Sequence, residues 1–167
     1  MLNSELLLKL VNDILDISKI DVGKMQFDIQ PTDIADLCHI AAVSASATPV
    51  PGVEIKAETT VKGLMIDTDK DRLMQVMTNL LSNAKKFTEA GSITIGVEAD
   101  SEKDIVIVSV ADTGCGIPAE SAETVFERFK KLDAFKQGTG LGLAITRSIV
   151  EQLGGRIWLD TGYTGGA

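Results

Sequence analysis

Apolar residues Leu7, Val11 and Ile14, followed by Ser18, recur near heptad spacing at the start of the chain, with Leu8, Leu10, Leu15 and Ile17 beside them. This predicts a helix over Ser4 to Ile20 whose apolar surface is too wide for a lone helix in water. It packs in a bundle or a two-chain coil, or else docks on its own domain. Gly23 supplies a helix stop, which puts a boundary near residue 25. Further on, "QFDIQP" has the alternation of a short strand, Thr32 to Ala47 that of a helix, and "ATPVPG" is a loop. Strand patterns return in "VEIKAETT" and "GLMID", followed by a helix over Asp69 to Phe87. Next, "SITIGVEAD" and "DIVIVSVAD" form a hairpin around the polar "SEKD". Thr113 to Thr139 is irregular and polar, with a short helical piece around Ala122 to Lys131. A last helix, Leu141 to Leu153, leads through Gly154 and Gly155 into "RIWLD". Strands in hairpins with helices between them predict an α+β fold, a two-layer α/β sandwich with a mixed sheet and helices on one face. The glycine-rich tail "TGYTGGA" suits no sheet strand, so the expectation is a chain cut before a last one.

A chain of 167 residues can bury a core without disulfides. Its net charge of −8 argues against a partner held through nucleic-acid phosphates or an anionic membrane surface. A phosphate ligand would therefore need a local site. Cys38 and Cys115 have neither disulfide nor metal-ligand spacing and are expected as free thiols in a reducing compartment, by default the cytoplasm. Apolar runs stay far short of a membrane span.

Three stretches carry candidate chemistry. On the 69–87 helix, Leu73, Val76, Met77, Leu80, Leu81 and Ala84 share an apolar face, and Arg72, Gln75, Asn79, Asn83 and Lys86 form a polar stripe opposite. That stripe is either a solvated face or the wall of a cleft in which the Asn oxygens and Lys86 meet a magnesium ion and phosphates. Magnesium retains several waters and takes few protein ligands, so one neutral amide oxygen plus nucleotide phosphates is a workable shell. Asparagine is also a poor choice for a purely solvated helix face. In "VADTGCGI", Asp112 leaves a buried strand just before Gly114 and Gly116. It either accepts from an exocyclic amine or closes a turn on its own backbone. In "GTGLGL", Gly138 to Leu143, a glycine loop feeds a helix N-terminus, where unpaired N–H groups and the helix dipole favour an anion. The spacing matches neither a dinucleotide fingerprint nor a Walker loop.

Taken in order, these stretches resemble the ATP-binding domain of two-component sensor histidine kinases, within the superfamily that includes gyrase, a heat-shock chaperone and mismatch-repair ATPases. "DKDRLMQVMTNLLSNAKKFT" looks like the family's N box, "DTGCGI" its first glycine box, "FERF" its F box and "GTGLGLAI" its second glycine box. The leading "LLLKLVNDILDISKIDVGKM" resembles the second helix of the dimerisation and phosphoacceptor hairpin. The resemblance covers essentially the whole chain. It implies residues 1–24 as part of that hairpin and residues 25–167 as a left-handed β-α-β sandwich holding ATP between the N-box helix and a lid. It further implies Asn79 as magnesium ligand and Asn83 and Lys86 on phosphates. Asp112 would take the adenine amine, with Phe87, Ile117, Thr139 and Leu141 lining the pocket. Gly114, Gly116, Gly140 and Gly142 would keep backbone near the nucleotide, and Lys131, or Lys130 or Arg128 in its place, would reach the γ-phosphate.

Hydrolytic members carry a glutamate where this chain has Asn79, and an amide is no general base. The resemblance thus implies a site that holds Mg-ATP for a histidine nucleophile, with Asn79, Lys86 and Lys131 as the catalytic set. Its implied partners are the kinase's own phosphoacceptor hairpin, as a homodimer, and a response-regulator receiver domain. Neither nucleic acid nor direct membrane contact is implied. The sole histidine, His39, falls on a helix of the nucleotide domain without the family's acidic neighbour and is expected to be a packing or surface residue. Trp158 and Tyr163 are expected as core and loop residues. A nucleotide-dependent binding module and a hydrolytic ATPase are the alternatives.

Overall fold

The computed structural model describes residues 2–100, 102–130 and 138–167. Its elements run α1 (Leu2–Asp21), β1 (Gln30–Asp33), α2 (Ile34–Ser46), β2 (Val53–Thr59), β3 (Met65–Thr68), α3 (Lys70–Phe87), β4 (Gly91–Asp100), β5 (Ile105–Asp112) and α4 (Gly142–Gln152). β2 pairs in parallel with β4, and β4 antiparallel with β5, giving a mixed sheet in the order β2-β4-β5. β1 and β3 make a separate antiparallel ribbon.

Alternation along β4 decides which face is covered. Ile93, Ile95 and Val97 are fully buried and stand opposite Asp112, Val110 and Val108. They pack against Leu37, Cys38 and Ala41 of α2 and Met77, Leu81 and Ala84 of α3. The other face carries Glu54, Lys56, Ser92, Thr94, Glu98 and Ser109 and meets solvent, so the sandwich has two layers. Burial of each such Ile, Leu or Met side chain contributes roughly 1.5–3 kcal/mol, which anchors both α2 and α3 on the sheet. Asp69 caps it, accepting from the Arg72 N–H at 2.9 Å and, through its second oxygen, from the Asp28 N–H at 2.8 Å. Burial also pushes the Cys38 thiol up to about 12, which leaves it inert as a nucleophile.

A second core joins α1 to the rest. Leu141 just before α4, with Ile145 and Ile149 within it, packs with Val76 and Met25, and Ile17 and Ile20 lie against them. The opposite side of α1, with Leu7, Leu8, Val11, Ile14 and Leu15, is exposed. One stripe of this helix thus docks on the chain's own domain, and the heptad stripe is left exposed.

Three local expectations fail. Gln26 to Ile29 form no strand, because Phe27 turns into the second core, and pairing begins only at Gln30. The helix expected around Ala122 to Lys131 is replaced, over its described part, by short 3-10 turns at Ala119–Ser121 and Thr124–Phe126. Trp158 is half exposed, with the Arg156 guanidinium 5.5 Å from its ring. Among the described residues no helix is long and apolar enough to cross a membrane.

Candidate nucleotide site

The buried face of α3 aims its polar stripe. With Val76, Met77, Leu81 and Ala84 held in the core, Asn79, Asn83 and Lys86 stand half-buried along the polar stripe. A Cβ built on Gly142 would lie 3.8 Å from the Asn79 amide oxygen, so that amide faces the first residue of α4. The first-turn N–H groups of a helix have no partners within it. An amide oxygen and a helix N-terminus therefore meet across one gap, an arrangement that accepts a phosphate on one side and a cation on the other. Lys86 lies along the same gap, its ammonium 3.0 Å from where a Cβ of Gly138 would be and 4.9 Å from the Phe87 ring centre.

The stripe does not act as one unit. Arg72 and Gln75 turn away toward an open cleft of about 660 Å³ lined also by Phe27, Asp28 and Asp69. Gln75 Nε2 donates to Asp16 of α1 at 2.7 Å, and the Arg72 guanidinium stands 3.5 Å from the same carboxylate. Only the Asn79–Lys86 half borders the glycine loops.

At the far end of α3 the first glycine turn closes over the helix terminus. Cys115 N–H donates to the Phe87 carbonyl at 3.3 Å. A Cβ on Gly114 would come within 2.3 Å of that carbonyl oxygen, so the close approach requires glycine. Asp112 is 7 % exposed on the inner face of the sheet. Its Oδ1 accepts from the Gly114 N–H at 2.8 Å. The turn-closing role is thus realised, and the second oxygen is the one left for a ligand. Thr88, next to Phe87, has a buried hydroxyl with no hydrogen-bond partner among the described residues, a group suited to a water or a ligand.

Further expected site residues gather here. Gly116 packs against Gly166, and Ile117 is half-buried just beyond it. Gly140 accepts from the Phe129 N–H at 2.8 Å, which ties the F box to the second glycine loop. Leu141 is fully buried and anchors that loop. Lys131 lies outside the described residues. Arg128, named as its substitute, is paired with Asp21 of α1 at 2.9 Å. Its guanidinium holds the Asp21 carboxyl below the usual carboxylate range through hydrogen bonding. His39 is exposed on α2, and no group of three or more His, Cys, Asp or Glu among the described residues is placed to hold a metal. A cation here would depend on the Asn79 oxygen, phosphates and water, a donor set that fits magnesium.

Two supports escaped sequence reasoning. Asp13 of α1, almost fully buried, accepts from the Thr139 hydroxyl at 2.9 Å. The glycine-rich tail lies along the first glycine turn: Asp112 N–H donates to the Ala167 carbonyl at 2.7 Å, and the Tyr163 hydroxyl to the Asp112 carbonyl at 3.1 Å. A Cβ on Gly166 would sit 2.2 Å from the Asp112 carbonyl oxygen, so only glycine fits there. The run of glycines was the available signal, read as unsuited to a strand rather than as a flat packing surface.

Comparison with known proteins identifies the family and the fold. Residues 68–167 match the family described as histidine kinase-, DNA gyrase B-, and HSP90-like ATPase. The chain is 34 % identical over 163 residues to the sensor histidine kinase WalK of Bacillus subtilis (strain 168), covering 95 % of the chain and 27 % of WalK. It is 37 % identical over 166 residues to the sensor protein GacS of Pseudomonas syringae pv. syringae, covering 93 % of the chain and 18 % of GacS. The chain thus spans about a quarter or less of these curated relatives. Among solved structures it resembles full-length ShkA in complex with AMPPNP, with a TM-score of 0.82 at 34 % identity over 91 % of this chain and 32 % of that one. It also resembles the catalytic domain of the histidine kinase ThkA, with a TM-score of 0.70 at 33 % identity over 79 % of this chain and 86 % of that one. With more than half of its length matched by that family's model and with sensor kinases among its relatives, the chain belongs to the histidine kinase-, DNA gyrase B-, and HSP90-like ATPase family.

Proposed function

We propose that this chain is the ATP-binding catalytic part of a two-component sensor histidine kinase, which moves the γ-phosphoryl of ATP to a histidine on a helix hairpin for relay to a receiver-domain aspartate. One observation carries the reading: the Asn79 amide faces the N-terminus of α4 across the gap that Lys86 also borders. Asp112 orients the nucleotide by accepting from the adenine amine with the oxygen its turn leaves over. Asn83 and Lys86, with the N–H groups of the Gly140–Gly142 loop, hold phosphate oxygens, and Lys131 or a neighbouring lid cation neutralises the transferred group. Asn79 would hold magnesium, which when bound would supply a Lewis acid that stabilises the negative charge of the phosphates. Catalysis of this kind is positioning and electrostatic stabilisation.

Asn79 also explains what the site withholds. An amide cannot take a proton from water, so bound ATP persists until a better nucleophile arrives. His39 is exposed on α2 and is not proposed as that nucleophile. Residues 1–24 serve as the second helix of the hairpin, with the open Leu8, Val11 and Leu15 stripe turned to its other helices, in a homodimer on the cytoplasmic side. The test supplies a separate histidine-bearing helix hairpin together with γ-labelled ATP and magnesium. Acid-labile label on the hairpin, absent with Asp112→Asn, is expected. Steady phosphate release without transfer would replace this reading with a hydrolytic one.

A further inference from the structure

Of three aspartates on one side of α1, Asp13 and Asp21 reach residues beside the proposed phosphate site, and Asp16 faces the separate cleft of Arg72 and Gln75. Asp13, only 7 % exposed, accepts a hydrogen bond from the Thr139 hydroxyl at 2.9 Å, and the same hydroxyl oxygen accepts from the Leu141 N–H at 3.1 Å. Asp16 holds Gln75 and stands by Arg72. Asp21 receives both terminal nitrogens of Arg128, at the base of the lid. Their partners lie in the loop that opens α4, in the polar stripe of α3 and in the lid. To such donors a carboxylate presents the same chemistry as a phosphate oxygen.

We propose that α1 forms an acidic clasp that competes with the triphosphate, so that docking of this helix and binding of Mg-ATP oppose each other. The inference rests on the nucleotide reading above and adds a regulatory role for Asp13 and Asp21. In the docked state Leu141 N–H is taken by Thr139, Thr139 by Asp13, and Arg128 by Asp21, which withdraws donors from an incoming anion. Asp13 further sets a carboxylate beside the loop where phosphate charge would arrive. The two contacts are unequal: Arg128 and Asp21 are 45 % and 49 % exposed, and such surface pairs contribute little, whereas the buried Asp13–Thr139 bond is less screened. The apolar seam of Ile17 and Ile20 against α4 keeps α1 near in either state, so the clasp opens as a local change. By linkage, nucleotide must loosen the clasp as strongly as the clasp weakens nucleotide.

The experiment compares the chain with its Asp13→Asn, Asp21→Asn double variant, titrated calorimetrically with magnesium and a non-hydrolysable ATP analogue. The double variant is expected to bind about tenfold tighter, because more of it sits in the binding-competent state. In the unaltered chain, amide exchange over residues 7–21 should speed up on saturation. Equal or weaker binding by a variant whose circular dichroism matches the parent overturns the clasp while leaving the nucleotide reading intact. Absence of binding by both proteins overturns the nucleotide reading and the clasp with it. If the double variant does not fold, Asp21→Asn alone, at an exposed position, replaces it: about twofold tighter binding supports the clasp, and unchanged affinity overturns it.

Discussion

The two walls of the nucleotide site are built on different physics. The α3 wall presents Asn79 and Asn83 from a helix whose other face is locked by Val76, Met77, Leu81 and Ala84 in the main core. Its geometry follows from burial in a close-packed core. In the opposing wall Leu141 is anchored in the second core, but Arg128, Phe129 and Thr139 are held by single polar contacts: Phe129 N–H to Gly140, Thr139 to Asp13 and Arg128 to Asp21. Phe129 sits at a φ of 62°, in the left-handed region, and is 70 % exposed. That part of the wall can be re-made at the cost of a few hydrogen bonds. A fixed wall and an adjustable one suit a site that must admit a charged ligand and then enclose it.

Substitutions in the two walls should separate these roles, and the largest effect belongs to the fixed one. Leu81→Ala, at a fully buried position, should cost about 2–5 kcal/mol of stability, seen as a lower denaturant midpoint and loss of nucleotide binding together. Gly114→Ala drives a methyl into the Phe87 carbonyl. It should cost about 1–3 kcal/mol and displace Asp112, so affinity falls more than the midpoint does. Asp69→Ala removes the cap of α3 and should cost about 0.5–2 kcal/mol. This last effect depends on pH. Burial alone would raise the Asp69 carboxyl, but N–H bonds from Arg72, Asp28 and Asp71 together with the Arg72 charge outweigh it and leave the folded value lower than the ordinary 3.8. The cap's contribution is therefore complete above 3.8 and is lost as pH falls through the lower folded value. Acid titration of stability should show a steeper decline below that point in the parent than in the Asp69→Ala variant.

How much of this was legible in the sequence follows the same division. Periodicity located α3, its buried face and its Asn-bearing stripe, because one-sided burial over five turns imposes a pattern that composition cannot hide. The β4–β5 hairpin was legible for the same reason, with period 2 in place of 3.6. Local propensity misled where a distant contact overrode it. Phe27 leaves its expected strand to join the core of α1 and α4, and the segment around Phe126 to Phe129 breaks from a helix to reach Gly140. The long-range supports of the adjustable wall and of the first glycine turn were illegible. Asp13 and Thr139 are 126 residues apart, Asp21 and Arg128 are 107, and Tyr163 and Asp112 are 51. No local pattern marks such pairs. The stripe of α3 was over-read as a unit, since Arg72 and Gln75 serve α1 instead of the glycine loops.

The most direct test is calorimetric titration of the chain and its Asn79→Ala variant with a non-hydrolysable ATP analogue, each with and without magnesium. The account predicts saturable one-to-one binding that magnesium strengthens in the parent, and that Asn79→Ala loses most of this magnesium dependence while still binding the nucleotide. No heat from the parent, or an identical magnesium dependence in both proteins, would contradict it.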